Sequence, residues 1–372
     1  MNILALEPYF SGSHKAFLEE WINHSKHDWT VLSLPGFKWK WRMRHAPITF
    51  SKMIEQEVSE GGKWDLVFCS SMLSIHELIG LMPACAKMPV VMYFHENQLT
   101  YPLKNGLKRD YQYAYSQLLS ASIASEVWFN SEYHKNEFLS ESKKFLSRMP
   151  DYNDAELVSK IDEKSTVQYP GIEHAAISEN SSSDKHPLHI VWAARWEFDK
   201  KPEVLYEALL KIKQSGKQFC LSILGEQFED SPVVFEKLKS EFSEEIKHFG
   251  FSSSKQLYLS ILNQSDVFVS TAIHEFFGLS CVEAMSQGCF PLVPKCLAYP
   301  ETVGKLDEED HDKAFYDGSS VELANMLSEL IDIHDKNPSF FKQKKKRTSV
   351  AMECFLWENR AKSMDDQLDA FQ

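Results

Sequence analysis

The stretch HEFFGLSCVEAMSQG, residues 274–288, holds two carboxylates, Glu275 and Glu283, eight residues apart around an aromatic-glycine hinge. It follows a strand-like run at Asp266–Ser270, so it predicts a loop carrying Glu275 and a helix opening near Gly278, with Glu283 about a turn and a half inside. A helix start presents unpaired N–H groups and the positive end of the dipole, a ready anion site. At roughly 100° per residue the two carboxylates do not share a helix face. They suit a ligand with an anionic middle and hydroxyl-bearing groups at both ends, as in a nucleotide sugar. Upstream, ARWEFDKKP (residues 194–202) sets Arg195 at the end of a strand-like run and Lys200 just before a helix that Pro202 can start. Two cations facing that helix N-terminus would clamp a diphosphate. Alone this spacing is common in charged loops; beside the Glu275/Glu283 segment it gains weight. No D-x-D follows a strand, and Asp307–Asp310 reads as a solvated loop. The expected site is therefore metal-free and needs no cofactor beyond its donor substrate, with Arg195, Lys200 and the helix dipole in the role a divalent ion fills elsewhere.

The elements that must position these groups alternate along the chain. Strands are expected at Ile3–Glu7, Trp29–Leu34, Asp65–Ser70, Pro89–Phe94 and Glu126–Asn130, with helices between them and an indistinct charged region over 140–165. Alternation restarts with strands at His189–Ala194, Phe219–Leu224, Asp266–Ser270 and Phe290–Val293, and helices from Pro202, Pro232 and Gly278. This is the pattern of two α/β domains built on doubly wound parallel sheets, which bind ligands at the carboxyl ends of their strands. The Ser-rich segment 178–187 reads as the linker between a domain over 1–177 and one over 188–350; residues 351–372 read as a helix that could pack back toward the first domain. A cleft between two such domains is the expected pocket. In the first domain, the Gly12 turn and His95-Glu96-Asn97 occupy strand ends.

Composition excludes some classes. At 372 residues with 43% hydrophobic and 25% charged residues, the chain has material for two cores. A net charge of −13 argues against bulk attraction to nucleic acid. Residues 36–52 nevertheless carry five Lys/Arg and no acid, interleaved with Trp39 and Trp41, and read as a basic-aromatic loop; KQKKKR at 342–347 reads as a solvated helix face. Trp39 and Trp41 could stack on bases while Arg42 and Arg44 meet phosphates, with Lys108–Tyr111, including Arg109 and Tyr111, contributing. The seven cysteines form no C-x-x-C pair, and no run of the length needed for a signal or a membrane span is present. The expectation is a cytoplasmic protein with reduced thiols and no membrane insertion.

Arg195 with Lys200, followed by HEFFGLSCVEA, resembles the second domain of retaining GT-B glycosyltransferases. YFSGSHKAFLEEW, LPGFKWKWRMR, YFHENQLTYP, KRDYQYAYSQ and RWEFDKKPE together resemble, more narrowly, the tRNA-queuosine mannosyltransferases. The resemblance covers nearly the whole chain. It implies two Rossmann-like domains facing each other across a cleft, and transfer of mannose from GDP-mannose to queuosine at the wobble position of tRNA(Asp). It implies that Glu275 and the backbone of Phe276, Phe277, Gly278 and Leu279 meet the donor sugar. Glu283 would hold the ribose diol, Arg195 and Lys200 the diphosphate, and Gly12 with Ser13 would approach the donor. His95 would line the acceptor side beside Glu96 and Asn97, with a catalytic role open. The family's double glycine is Ser-Gly-Ser here. Two other readings stay open: a GT-B enzyme acting on a lipid or small molecule, and a noncatalytic nucleotide-sugar- or tRNA-binding protein.

Overall fold

The computed structural model describes residues 1–104, 106–173, 186–228, 231–337 and 339–371. The chain forms two compact units, Met1–Gly171 with Trp357–Gln372, and Ile172–Leu356. In the first unit, strands β1 (Asn2–Phe10), β2 (Asp28–Pro35), β3 (Leu66–Ser70), β4 (Val90–Phe94), β5 (Glu126–Phe129) and β6 (Ser165–Val167) form one sheet in the order β2-β1-β3-β4-β5-β6. All pairs are parallel. LVFCS and VVMYF are buried along their whole length because helices cover both faces. The strand order reverses between β1 and β3, so the carboxyl ends of β1 and its neighbours surround a topological switch point. Helices α1 (Gly12–His24), α2 (Trp39–Ser59) and α3 (Tyr111–Ile123) flank this sheet.

The second unit repeats the plan. Strands β7 (His189–Ala193), β8 (Cys220–Leu224), β9 (Ile246–Gly250), β10 (Val267–Val269), β11 (Phe290–Pro294) and β12 (Phe315–Tyr316) order as β12-β11-β10-β7-β8-β9, again parallel, with the switch point between β7 and β10. Helices used below are α4 (Pro202–Gln214), α5 (Lys255–Gln264), α6 (Leu279–Ser286), α7 (Ser320–Lys336) and α8 (Ser339–Ala351). The last helix, α9 (Trp357–Leu368), belongs to the first unit: Trp357, Ala361, Met364 and Leu368 pack with Phe17, Trp21, Phe68 and Trp128. Gly171 passes so close to the Trp357 ring that a Cβ there would lie 2.1 Å from it. Asp365, buried on α9, accepts hydrogen bonds from Trp21 Nε1 (2.9 Å), the Lys26 backbone N–H (2.7 Å) and the Ser25 hydroxyl (3.0 Å), so its desolvation is offset by three donors.

Several expectations are corrected. Residues 39–59 form a helix rather than a basic-aromatic loop: Met43, Pro47, Phe50 and Ile54, spaced four, three and four apart, are its buried stripe. The motif 307–310 is not a solvated loop. Asp307 caps the short helix Glu308–His311, and Asp310 is buried against Lys344 of α8. KQKKKR is accordingly only partly solvated, since Lys344 lies on one stripe with Phe341 and Thr348, and Lys345 donates to the Asn263 carbonyl at 2.7 Å. Of the expected linker, residues 178–185 lie outside the described residues; the chain passes between units at 171/172 and 356/357. The terminal helix starts at Trp357, after a short turn at Glu353–Phe355, and not at 351. Strands β6, β9 and β12 were not expected. Among the described residues no helix is long and apolar enough to cross a membrane.

Asp365→Ala should lower the stability of the first unit by ~3 kcal/mol, because it leaves a buried indole N–H and a backbone N–H without an acceptor. Urea denaturation followed by Trp fluorescence reads this directly. Asp366→Ala, which removes only an exposed partner of Lys26, should leave the midpoint near that of the parent protein.

Candidate active site

In the second unit the loops that follow the adjacent strands β7 and β10 are tied together at the switch point. Trp192 Nε1 donates to Thr271 Oγ1 (3.1 Å), the Thr271 hydroxyl donates to the Lys200 carbonyl (2.6 Å), and Ile273 N–H donates to the Asp199 carbonyl (2.8 Å). Lys200 is only 7% exposed. Its ammonium donates to the His274 carbonyl at 2.8 Å and lies 3.3 Å from Glu275 Oε2 and 3.2 Å from Asp199 Oδ2. Burial alone would lower the Lys200 pKa, but Glu275 and Asp199 raise it above the usual lysine value. Burial pushes the Glu275 carboxyl up, and Lys200 overrides this and leaves it below the ordinary carboxylate value. Both groups therefore stay charged at neutral pH. Burial, and next the same ammonium, drive His274 down to about 4, so its imidazole is neutral.

Gly278, at φ +88°, turns the chain from this loop into α6, and a Cβ there would meet the Tyr299 ring at 3.1 Å. Phe276 and Phe277 are buried and anchor the turn. The first turn of α6, with Leu279 at its start, leaves its leading N–H groups outside the helical ladder. Glu283, buried one turn further on, pairs with Lys255 at the start of α5. Arg195 lies at the end of β7, half exposed, with Nη2 3.3 Å from Glu197 Oε2. It bears electrostatically on Lys200, Glu275 and His274. The second unit thus joins Lys200 directly to Glu275, keeps Arg195 within electrostatic reach of both, and carries Glu283 on the helix that Gly278 opens.

The first unit has its own charged cluster, at the ends of β1 and β4. His14 is buried on α1 between two acids, with Nδ1 3.2 Å from Glu7 Oε2 and Nε2 3.1 Å from Glu96 Oε2. Burial alone would lower its pKa; Glu7 and Glu96 prevail and raise it to about 10, so His14 is an imidazolium at neutral pH. The His95 ring stacks on it at 4.0 Å between centroids. Burial, followed by the His14 and His134 charges, holds His95 well below the usual histidine value, so it is neutral. Glu7, His14 and His95 also bring one potential metal-ligating atom each within 4.8 Å. Both His14 nitrogens already face carboxylates, however, which favours a proton there. Gly12 and Ser13 are exposed in the first turn of α1.

Other expected ligand-facing residues divide. Asn97 is fully buried, and its Oδ1 accepts from Leu99 N, Thr100 N and the Thr100 hydroxyl, which braces its own loop. Arg109 donates to the carbonyls of Gln98 (2.6 Å) and Tyr101 (2.8 Å) and holds the same loop. Trp39 is partly buried against Met43, Met72 and Tyr113. Trp41 is 60% exposed and Phe37 63%. Arg42 donates to the Pro35 carbonyl, and Arg44 to the Tyr113 hydroxyl at 2.8 Å, next to Asp110, the cap of α3. Tyr111, exposed, stacks on Phe145. Sequence reading missed Glu7, His14 and Lys255. His14 sits in the quoted SGSH turn, but its partners are seven residues before it and 82 after it, joined only by the sheet.

Residues 2–172 match the family model described as tRNA-queuosine alpha-mannosyltransferase N-terminal, and residues 174–347 match that of glycosyl transferases group 1. A tRNA-queuosine alpha-mannosyltransferase of Drosophila melanogaster is 35% identical over 316 residues, which cover 82% of this chain and 82% of that protein. Solved structures are similar over the full chain. They include a sucrose-phosphate synthase from Thermosynechococcus elongatus (TM-score 0.72, 14% identity, all of that chain covered). Another is the catalytic domain of starch synthase IV from Arabidopsis thaliana, solved with ADP and acarbose (TM-score 0.71, 11% identity, 99% of that chain covered). A third is an Anabaena protein solved with UDP and glucose (TM-score 0.66, 16% identity, all of that chain covered). With two six-stranded parallel sheets, these likenesses give the GT-B fold expected from the sequence. The chain is a glycosyltransferase and belongs to the tRNA-queuosine alpha-mannosyltransferase family.

Proposed function

We propose that this enzyme moves mannose from GDP-mannose to queuosine at the wobble position of tRNA(Asp), in the cytoplasm, with retention of configuration and without a metal. The observation that carries the chemical half of this reading is the buried Lys200 ammonium, 3.3 Å from Glu275 at the switch point of the second sheet. Glycosyl transfer concentrates its cost in the departure of a diphosphate from a cation-like sugar. Arg195, Lys200 and the leading N–H groups of α6 would offset the charge that grows on that leaving group. Glu275, kept ionised, would accept hydrogen bonds from the sugar hydroxyls, and Glu283 from the ribose diol. The bond from the anomeric carbon to the diphosphate breaks as the acceptor hydroxyl oxygen bonds to the same face. The hydroxyl proton passes to the departing phosphate oxygen.

The acceptor half rests on the family and on the exposed edge of the first unit. Phe37 and Trp41 stand out into solvent near Lys38, Lys40 and Arg44, a combination that stacks bases and meets phosphates. Neutral His95, beside the His14 imidazolium, is suited to hydrogen-bond a hydroxyl.

The decisive assay incubates the purified protein with GDP-mannose or UDP-glucose and with tRNA that contains or lacks queuosine, followed by nucleoside mass analysis. A hexose added to queuosine from GDP-mannose alone is expected. Addition to queuosine-free tRNA, or to none, sinks the reading, and a β-linked product sinks retention. Arg195→Ala should lower kcat by roughly 100- to 1,000-fold with folding intact, because Arg195 is half exposed. Lys200→Ala should lose at least as much and also lose stability, since it strands buried Glu275 and Asp199; near-normal turnover in both would refute the clamp. Trp41→Ala should weaken tRNA binding by about 10-fold, from the loss of one stacked base. Binding by the parent protein should fall steeply with salt. Filter binding at two ionic strengths checks both.

A further inference from the structure

His186, Asp266 and His334 lie at the amino end of the second sheet's central strands, opposite the carboxyl end that carries Lys200 and Glu275. His186 lies on the approach to β7, Asp266 immediately precedes β10, and His334 is in the last turn of α7. Each brings one potential ligand atom to within 4.8 Å of the other two. A tetrahedral ion with bonds of ~2.1 Å needs its donors ~3.4 Å apart, a contraction that small side-chain rotations can supply. Asp266 is buried; its Oδ2 accepts from the His189 backbone N–H at 2.9 Å and stands 4.0 Å from His186 Nδ1. The His186 Nδ1 also lies 2.9 Å from the Pro187 carbonyl, a contact that an ion bound at that nitrogen would replace. The two imidazole rings are 5.5 Å apart.

What marks this cluster is His334. It is 5% exposed, and among the described residues its buried Nδ1 has no hydrogen-bond partner. The nearest carboxylate, on exposed Asp335, is 3.9 Å away. A buried imidazole nitrogen left unpaired costs free energy, and a ligated cation would satisfy it. His14 differs in degree: its nitrogens stand 3.2 and 3.1 Å from Glu7 and Glu96, closer than Asp335 stands to His334.

We infer that His186, Asp266 and His334 bind one divalent transition metal of the zinc class, tying the starts of β7 and β10 to the end of α7. Two imidazoles and one carboxylate suit zinc better than magnesium or calcium, which prefer all-oxygen shells. Because Arg195, Lys200 and Glu275 lie at the opposite, carboxyl end of these strands, the ion's role is to brace the unit.

The test uses the full chain, stripped with chelator and titrated with Zn²⁺ by calorimetry and with Co²⁺ by visible absorption. One equivalent should bind, with tetrahedral Co²⁺ bands and a rise in Tm on adding Zn²⁺. His334→Ala and His186→Ala should each weaken binding by at least about 100-fold and abolish the Tm rise, while His311→Ala, on another surface, should change neither. No stoichiometric binding by the parent protein, or unchanged binding in both variants, overturns the inference. His186→Ala, at a half-buried position, decides the matter should His334→Ala fail to fold. None of these readouts depends on sugar transfer, so the fate of the transferase reading leaves this one untouched.

Discussion

The second unit is organised around one buried charge. A lysine ammonium removed from water carries a desolvation penalty of several kcal/mol unless it is paired and hydrogen-bonded. Lys200 meets this demand with the Glu275 and Asp199 carboxylates and the His274 carbonyl. Satisfying that single cation fixes the backbone of the loop after β10 at His274, and therefore the position from which Glu275 projects and Gly278 turns into α6. The hydrogen bonds from Thr271 to the Lys200 carbonyl and from Ile273 to the Asp199 carbonyl then lock the two loops in register. Glu275 is ionised because Lys200 is there, and Lys200 is tolerated in the interior because Glu275 is there.

The first unit solves the same problem with the charges reversed. Two carboxylates, Glu7 and Glu96, share one imidazolium between strand ends that are adjacent to the switch point. Glu7 is further held by the Ser70 hydroxyl (3.0 Å) and the Tyr9 N–H (2.8 Å). Burial, and next the charge on His14, keep its stacked neighbour His95 from taking a proton. The pair divides into a fixed cation and a neutral ring whose nitrogens can serve as hydrogen-bond donor or acceptor. Asn97 and Arg109 hold the loop that follows His95 by satisfying its backbone N–H and C=O groups, and so shape the first unit's cluster.

What could be read from the sequence follows from how locally each feature is encoded. Buried strands such as LVFCS and VVMYF announce themselves as continuous apolar runs, and the turn at Gly278 by its glycine and flanking aromatics. By contrast β9, IKHFG, is only partly buried at a sheet edge and shows no such run, while β6 and β12 are three and two residues long. Helix α2 was misread because its tryptophans and basic residues obscured a regular stripe through Met43, Pro47, Phe50 and Ile54. The buried Asp310–Lys344 pair was hidden for another reason: a run such as KQKKKR gives no sign of which lysine turns inward. The His14 and Lys255 pairings depend on contacts between elements 82 and 28 residues apart, and only the folded sheet brings them together.

The two glutamates that first drew notice are held very differently. The partner of Glu275 is buried and fixed by three acceptors, so exchanging it for a ligand would expose Lys200 to the full desolvation penalty. Any hydroxyl that Glu275 receives must be added to the ion pair and cannot replace it. Glu283 is paired with Lys255, whose side chain is 44% exposed. A half-exposed ammonium recovers solvation readily, so Lys255 can leave its pair at a smaller cost than buried Lys200 could. A vicinal diol can therefore take over the Glu283 oxygens at small cost, while Lys255 turns to water or to an anionic group of the same ligand. Under the proposed function, recognition of the nucleoside falls to the yielding carboxylate and alignment of the reacting sugar to the rigid one. That is the division a transferase needs if binding is to be reversible while the geometry of the bond being broken stays fixed.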